Sequence, residues 1–256
     1  MNNPGAKEEN NIYYDECVIL KSSPYGESDR LVTVFSKNLG KKNLLAKGAC
    51  KPGSKLCGFT DSLSVLNYAP KATRTFTLIT QPKIVSPLFH IKEMGASFYK
   101  AYAMCELVSR AAEFDNKMPE IYDALKNSLI IMDLMTSDDE AASEKVLIKF
   151  ELFFLEYAGF SLNFENCCHC GKTLSGEFIY DSGAGGITCA RCALGRREAE
   201  VAQDAAGLIK KITKETDLKK IIGENYSINT LGAALALVKK HIKANLNIVL
   251  TSADIA

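Results

Sequence analysis

The chain has 256 residues, 47% hydrophobic and 24% charged, a mix that buries a core and fills one large domain or two ordinary ones. No apolar run approaches the roughly 18 residues of a membrane helix. The polar start from Met1 to Asn11 lacks the apolar centre of a signal peptide, so a cytoplasmic chain is expected. The net charge of +1 hides an asymmetry: from Cys17 to Lys92 twelve Lys and Arg face three acids, a local charge of +9, whereas Glu93 to Ala256 carries −5. A basic front on a near-neutral chain is the footprint of a polyanion-binding face, although solvating lysines on a small domain would give the same count.

In chain order, residues 1–12 read as a disordered polar tail. Five short strands follow: Cys17 to Lys21, Leu31 to Phe35, Asn43 to Ala46, Leu63 to Leu66 and Thr75 to Thr80. Turn chemistry separates them at Ser23-Pro24-Tyr25-Gly26, Asn38-Leu39-Gly40, Lys51-Pro52-Gly53-Ser54 and Ala69-Pro70. Five strands with no long helical pattern between them suit a partly open OB barrel over residues 13–92, with an SH3-like barrel as the competitor. Residues 93–256 read as an all-α domain carrying an inserted hairpin. Phe98, Tyr102, Cys105 and Val108 recur at helical spacing, as do Ile121, Leu125, Leu129 and Met132, and later Leu231, Leu235, Val238 and Ile242. Ser137-Asp138-Asp139-Glu140 matches a capping box opening a helix with Val146, Phe150, Phe153 and Tyr157, which Gly159 ends.

Five of the nine cysteines fall in one short window. Cys167-Cys168-His169-Cys170-Gly171 and Cys189-Ala190-Arg191-Cys192 give two C-x2-C turns eighteen residues apart, the spacing of a tetrathiolate zinc site. Two intervening residues let a tight turn aim both sulfurs at one ion, and two such turns complete a tetrahedron with no open position, so the Zn2+ would be structural. Cys167, Cys170, Cys189 and Cys192 are the expected ligands, with Cys168 and His169 competing. Glu177 to Tyr180 and Gly185 to Thr188 read as a hairpin carrying the second pair. A thiol redox pair at Cys167 and Cys170 is the other reading.

No catalytic constellation is found. A zinc deaminase needs His-x-Glu and Pro-Cys-x-x-Cys elements, and neither pair follows Pro. Only His90, His169 and His241 are available for a triad, and Gly183-Ala184-Gly185-Gly186 lacks the Lys-Ser/Thr of a phosphate loop. A non-enzymatic role is expected.

The front bases cluster. Lys37, Lys41, Lys42, Lys47, Lys51 and Lys55 lie around the third strand, and Lys71 and Arg74 between the fourth and fifth. In an OB barrel, strands 2 and 3 with the 1–2 and 4–5 loops form the nucleic-acid groove. Tyr25 and Tyr68 are the candidate stacking platforms.

Val18-Ile19-Leu20-Lys21, Pro24-Tyr25-Gly26-Glu27-Ser28-Asp29-Arg30-Leu31-Val32-Thr33-Val34-Phe35-Ser36, Gly40 and Leu45-Ala46-Lys47-Gly48-Ala49 resemble the opening of the bacterial DNA repair protein RecO family. Gly159, Phe164, the two C-x2-C pairs and Gly185-Gly186 resemble its zinc-binding insertion, and His241 to Ile255, with Leu246 and Ser252, its last helix and tail. The resemblance implies an OB domain, a helical zinc domain and a recombination mediator. Such a protein binds single- and double-stranded DNA and anneals strands coated with single-strand binding protein. It also assists recombinase loading with RecR, and so acts indirectly on RecA. Carried over residue by residue, Arg30, Lys47 and Lys51 match basic DNA-contact positions, the family often having Arg at the last. The implied groove for the acidic, Phe-ended tail of single-strand binding protein would be rimmed by Lys210, Lys211, Lys239 and Lys240. Cys168 and the polar tail Met1 to Asn11 depart from the pattern. The competing readings are an RNA-binding OB/zinc-ribbon factor of translation or transcription, a thiol redox enzyme, and an adaptor for an acidic protein tail.

Overall fold

The alternating apolar pattern of the front segment closes into a barrel. The computed structural model describes residues 12–135, 137–194 and 199–252. In it β1 (Asp15–Tyr25), β2 (Asp29–Ser36), β3 (Gly40–Ala46), β4 (Val65–Ala72) and β5 (Thr77–Ser86) join in the order β1-β2-β3-β5-β4. β3 runs parallel to β5 and every other barrel pairing is antiparallel, the Greek-key connectivity of an OB fold, closed rather than partly open. The expected tail lies, up to residue 11, outside the described residues.

Alternation fixes which side chains fill the barrel. Cys17, Ile19, Val32, Val34, Leu44, Leu66, Tyr68 and Ile79 form its interior, while Val18, Leu20 and Phe35 point outward into the helical layer. A bulge between Ile19 and Lys21 interrupts the β1–β2 register, so Leu20 is the extra residue and Lys21 pairs with Thr33.

Two expected turns lie partly or wholly in strand, the first keeping only Gly26 in the turn that follows β1. Pro24 pairs with Arg30 inside β1, and Pro70 pairs with Ile79 inside β4. β1 and β4 pair with each other only through Asp15–Val18 and Val65–Tyr68, so both prolines occupy stretches with one free edge, where a missing N–H is tolerated. Leu63, expected in the fourth strand, is a buried residue with φ 55° in the bend before β4.

The helical part comprises α1 (Phe89–Glu93), α2 (Gly95–Ala111), α3 (Pro119–Asp133), α4 (Glu140–Tyr157), α5 (Ala190–Ala193), α6 (Gln203–Lys214), α7 (Leu218–Gly223) and α8 (Ile228–Leu246). The expected division after Lys92 lies within α1. α4 is the central helix, packed against α2, α3, α6, α7 and α8, and it is therefore buried on nearly every side. Its N-cap is Asp139, whose side chain accepts from the Ala142 N–H at 2.9 Å, rather than the expected Ser137. The neighbouring Asp138 instead caps α2, accepting from the Ala96 and Ser97 N–H groups at 3.0 Å. Gly159, at φ 83°, ends α4 as expected, with Phe160 N–H on the Leu155 carbonyl at 2.8 Å. No helix among the described residues is long and apolar enough to cross a membrane.

Between α4 and α6 lies a three-stranded sheet in the order β7-β6-β8: β6 (Phe178–Asp181), β7 (Gly186–Thr188) and β8 (Ala199–Val201). The first two are the expected hairpin, and β8 adds to the outer edge of β6. The sheet is tied to α8 through His241. Its Nε2 bonds the Phe160 carbonyl at 2.8 Å, and its Nδ1 lies 3.1 Å from the Tyr180 hydroxyl. Asn245 adds a bond to the Gly185 carbonyl at 3.2 Å.

One side of the barrel docks on α2 and α3. Phe35 packs on Tyr122 with ring centroids 6.2 Å apart, and Glu16 accepts from Tyr122 at 3.0 Å and Lys126 at 2.7 Å. Gly40, at φ 71°, sits so tightly that an added Cβ would lie 2.1 Å from the Asn116 carbonyl oxygen. Only glycine fits both the backbone angle and the space.

Candidate nucleic-acid interface and metal centre

The docked side separates the nine candidate bases among the twelve of the front segment into two groups. Lys37 pairs with Asp123 of α3 at 2.8 Å, and Lys42 pairs with Asp115. Lys41 is 7% exposed; its ammonium donates to the Ser109 carbonyl at 2.9 Å and lies 4.4 Å from the Phe114 ring centroid. Burial lowers the Lys41 pKa, with Glu113 opposing. These three lysines bind the barrel to the helices, and Lys41, expected to face a phosphate, is instead turned toward Ser109 and Phe114.

The other six cluster around three connections that touch one another. In the β1–β2 turn, Asp29 Oδ1 accepts from the Gly48 N–H at 2.7 Å, and the Ser28 carbonyl accepts from the Cys50 N–H at 2.8 Å. These bonds hold Lys47 and Lys51, both exposed, against that turn. Tyr25 meets Phe76 edge to face at 5.5 Å, bringing the β4–β5 hairpin, with the exposed Arg74, to the same turn. Lys71 is exposed and pairs with Leu78; the same row continues through Leu45 and Leu31 across the outer face of β5, β3 and β2. Lys55 is exposed on the loop that follows. Arg30 is partly covered, 3.3 Å from the Ser22 hydroxyl and 3.4 Å from Asp61. Tyr25 is 43% exposed and available for stacking, whereas Tyr68 is fully buried inside the barrel and is not.

The second site lies between α4 and α6. The first C-x2-C turn is closed by Gly171 N–H on the Cys167 carbonyl at 2.9 Å, with Gly171 at φ 68°. It is hooked to the sheet by Cys168 N–H on the Ile187 carbonyl at 2.9 Å. Cys189 is the N-cap of α5 and Cys192 lies one turn on. The sulfurs of Cys167, Cys170, Cys189 and Cys192 all lie within 4.8 Å of one another. A tetrathiolate tetrahedron with bonds of about 2.3 Å has edges of roughly 3.8 Å, so this donor set suits Zn2+. His169 is directed elsewhere, with Nε2 2.5 Å from Asp181 Oδ2, while Asp181 Oδ1 accepts from the Gly183 and Ala184 N–H groups at 2.9 Å. Cys168 is exposed and outside the cluster.

Burial pushes the Cys167 thiol up, yet the Thr188 hydroxyl and the N–H groups of Cys170, Cys189 and His169 outweigh it and bring it down to about 5. Cys192, hydrogen-bonded to Cys189 and Cys170, goes up to about 12. Four crowded sulfurs cannot all ionise alone; a bound dication would release the remaining protons.

The four helical lysines do not form one rim. Lys210 lies 4.5 Å from the Phe178 ring centroid, and Lys211 pairs with Glu224 at 2.6 Å. Lys239 is half-buried towards Glu144 and Glu151 of α4. Lys240 is exposed beside a cavity of about 210 Å³ between β6, β8, α6 and α8, whose wall holds Glu200 as well as Tyr180, Val201, Ala205 and Leu237. Sequence reasoning missed the partners that commit Lys37, Lys41 and Lys42, because Asp123, Ser109 and Asp115 lie about seventy to ninety residues away along the chain.

Residues 95–253 match the family model described as Recombination protein O C terminal, and residues 11–88 that of Recombination protein O N terminal. Among curated relatives, the DNA repair protein RecO of Alkaliphilus metalliredigens is 27% identical over 69% of this chain and 70% of its own length. That of Oceanobacillus iheyensis is 28% identical over 80% and 77%, and that of Clostridium perfringens 30% identical over 68% and 70%. The matched segments span the barrel and the helical part with its cysteine cluster: the chain belongs to the RecO family.

Proposed function

We propose that this chain is a non-enzymatic mediator of DNA repair and homologous recombination that binds single- and double-stranded DNA through its barrel. The observation that carries the reading is the placement of Arg30, Lys47, Lys51, Lys55, Lys71 and Arg74 at or beside the β1–β2, β3–β4 and β4–β5 connections, which touch through Asp29–Gly48 and Tyr25–Phe76. Phosphates neutralised by these bases release counterions, so affinity falls as salt rises. Two complementary strands held on one basic surface repel less and meet at a higher effective concentration, which favours annealing. Arg30 would exchange Asp61 for a phosphate, a small loss for a surface pair.

Cys167, Cys170, Cys189 and Cys192 would hold one Zn2+, which supplies folding energy and keeps the β6–β7 hairpin against α8. With four thiolates around it, the ion has no open position for a substrate. The family membership supports RecR and, indirectly, RecA as partners, and a bacterial cytoplasm with its nucleoid as the location. The Phe-ended acidic tail of single-strand binding protein would use the cavity beside Lys240, an exposed helical lysine next to a mostly apolar hollow whose wall also carries Glu200.

The test is the rate at which complementary oligonucleotides coated with their own single-strand binding protein anneal, with and without this chain. Acceleration is expected. A folded, metal-loaded protein that leaves the rate unchanged and prefers structured RNA to single-stranded DNA would overturn the reading in favour of an RNA-binding factor.

A further inference from the structure

The bulge in β1 turns two successive residues outward. Leu20 enters the helical layer, whereas Lys21 is exposed on the row it shares with Thr33 and Asn43, the outer face of β1, β2 and β3. Lys21 also borders a cleft of about 480 Å³ between β1 and α2, within the usual range of ligand sites. The cleft carries three half-buried rings from the first turns of α2. Phe98 and Tyr102 lie nearly parallel with centroids 6.2 Å apart, and Tyr99 meets Phe98 edge to face at 5.6 Å. Arg110 stands on the same helix, bonded through Nη1 to the Val249 carbonyl and 3.4 Å from Glu106. The far wall is the C-terminal segment, fixed because Glu106 accepts from both the N–H and the hydroxyl of Thr251 and of Ser252.

We infer that this cleft is a second nucleic-acid subsite, which takes an unpaired nucleobase against Phe98, Tyr99 and Tyr102 while Lys21 and Arg110 attract its phosphate. The inference rests on the DNA-binding reading of the barrel. Aromatic faces beside cations are the general chemistry of single-strand recognition, since every base has a π face to stack. Continuity points the same way: Lys21 belongs both to the outer face of the barrel and to the rim of the cleft. A strand leaving that face therefore meets the rings next. A duplex has no unpaired base to offer, so the subsite distinguishes single strands from double. Against burial, the bonds from Thr251 and Ser252 hold the Glu106 carboxyl in its charged form and Arg110 offsets that charge, so the net positive charge at the rim is that of one base, Lys21.

The test compares full-length wild-type protein with Tyr99→Ala/Tyr102→Ala, Lys21→Glu and Tyr102→Phe. Anisotropy is read on a single-stranded oligonucleotide and on a duplex of equal length. Wild-type protein is also cross-linked to an iodouracil-substituted strand and the attached residues are mapped. The double alanine variant is expected to lose about tenfold in single-strand affinity and little on the duplex. Tyr102→Phe should bind as wild type, and cross-links should fall on Tyr99 or Tyr102. If the double variant misfolds, the exposed Lys21→Glu and the wild-type cross-links decide. Unchanged single-strand affinity with cross-links confined to the barrel overturns the subsite and leaves the barrel reading intact. So does an equal loss on both nucleic acids, or unchanged DNA binding with loss of an acidic peptide. Wild-type protein that binds neither DNA overturns both readings.

Discussion

Lys41 tests the division of the front bases into those that tie the barrel to the helices and those proposed to meet DNA. Lys41→Ala removes an ammonium that donates to the Ser109 carbonyl at 2.9 Å and rests over the Phe114 ring. A hydrogen bond to a charged group contributes about 1.5–3 kcal/mol, and a cation over a partly exposed ring about 0.5–1 kcal/mol. Relief of the buried ammonium's desolvation offsets part of this, leaving a net loss on the order of 2 kcal/mol. For a chain of this size that is a fall of about 4–8 °C in Tm. Lys41→Met, which keeps the apolar stem, should lose about half as much. Urea unfolding would measure the loss, and anisotropy on single-stranded DNA under native conditions should change by less than about twofold. Unchanged stability together with a tenfold loss of DNA affinity would refute the junction role and return Lys41 to the binding face.

Cys189→Ser should lower bound zinc, measured by atomic absorption, and reduce Tm by several degrees, with a chelator doing the same to wild type; unchanged metal and Tm would exclude the tetrathiolate site. Glu151, fully buried on α4 with neither carboxylate oxygen hydrogen-bonded among the described residues, is pushed up to about 8 by burial, with Lys239 opposing and Glu144 assisting. The unfolded group loses its proton near about 4.3, so this residue's contribution to stability is full below that pH and declines until about pH 8, then levels. Glu151→Gln carries no such proton, so its Tm should gain on wild type steadily between pH 5 and pH 8; parallel curves would contradict the buried, protonated carboxyl.

What was legible in advance follows physical range. The clustering of Cys167, Cys170, Cys189 and Cys192 was readable because C-x2-C turns encode their geometry locally, and Gly171 and Gly159 because a positive φ leaves a residue signature. The five strands were readable from alternation, but their ends were not: Pro24 and Pro70 look like turn residues until the free edges of β1 and β4 are known. Ser137 fitted the capping pattern, yet Asp139 sits at the helix start and Asp138 serves α2, a choice made by tertiary packing. The apolar stripe of Leu208, Ile209 and Ile212 could have revealed α6, whereas β8 is only three residues long. Charge counting located a basic front but could not tell Lys41 from Lys47, because burial of the first depends on Ser109 and Phe114 in another domain.

The most direct measurement is the salt dependence of single-strand affinity for wild type and for Lys47→Glu/Lys51→Glu. Six engaged bases predict a slope of log K against log salt of about −4, and the double variant should flatten it by about 1.4 while retaining its Tm. A wild-type slope near zero, or a variant with unaltered slope and affinity, would contradict the barrel as the DNA-binding surface.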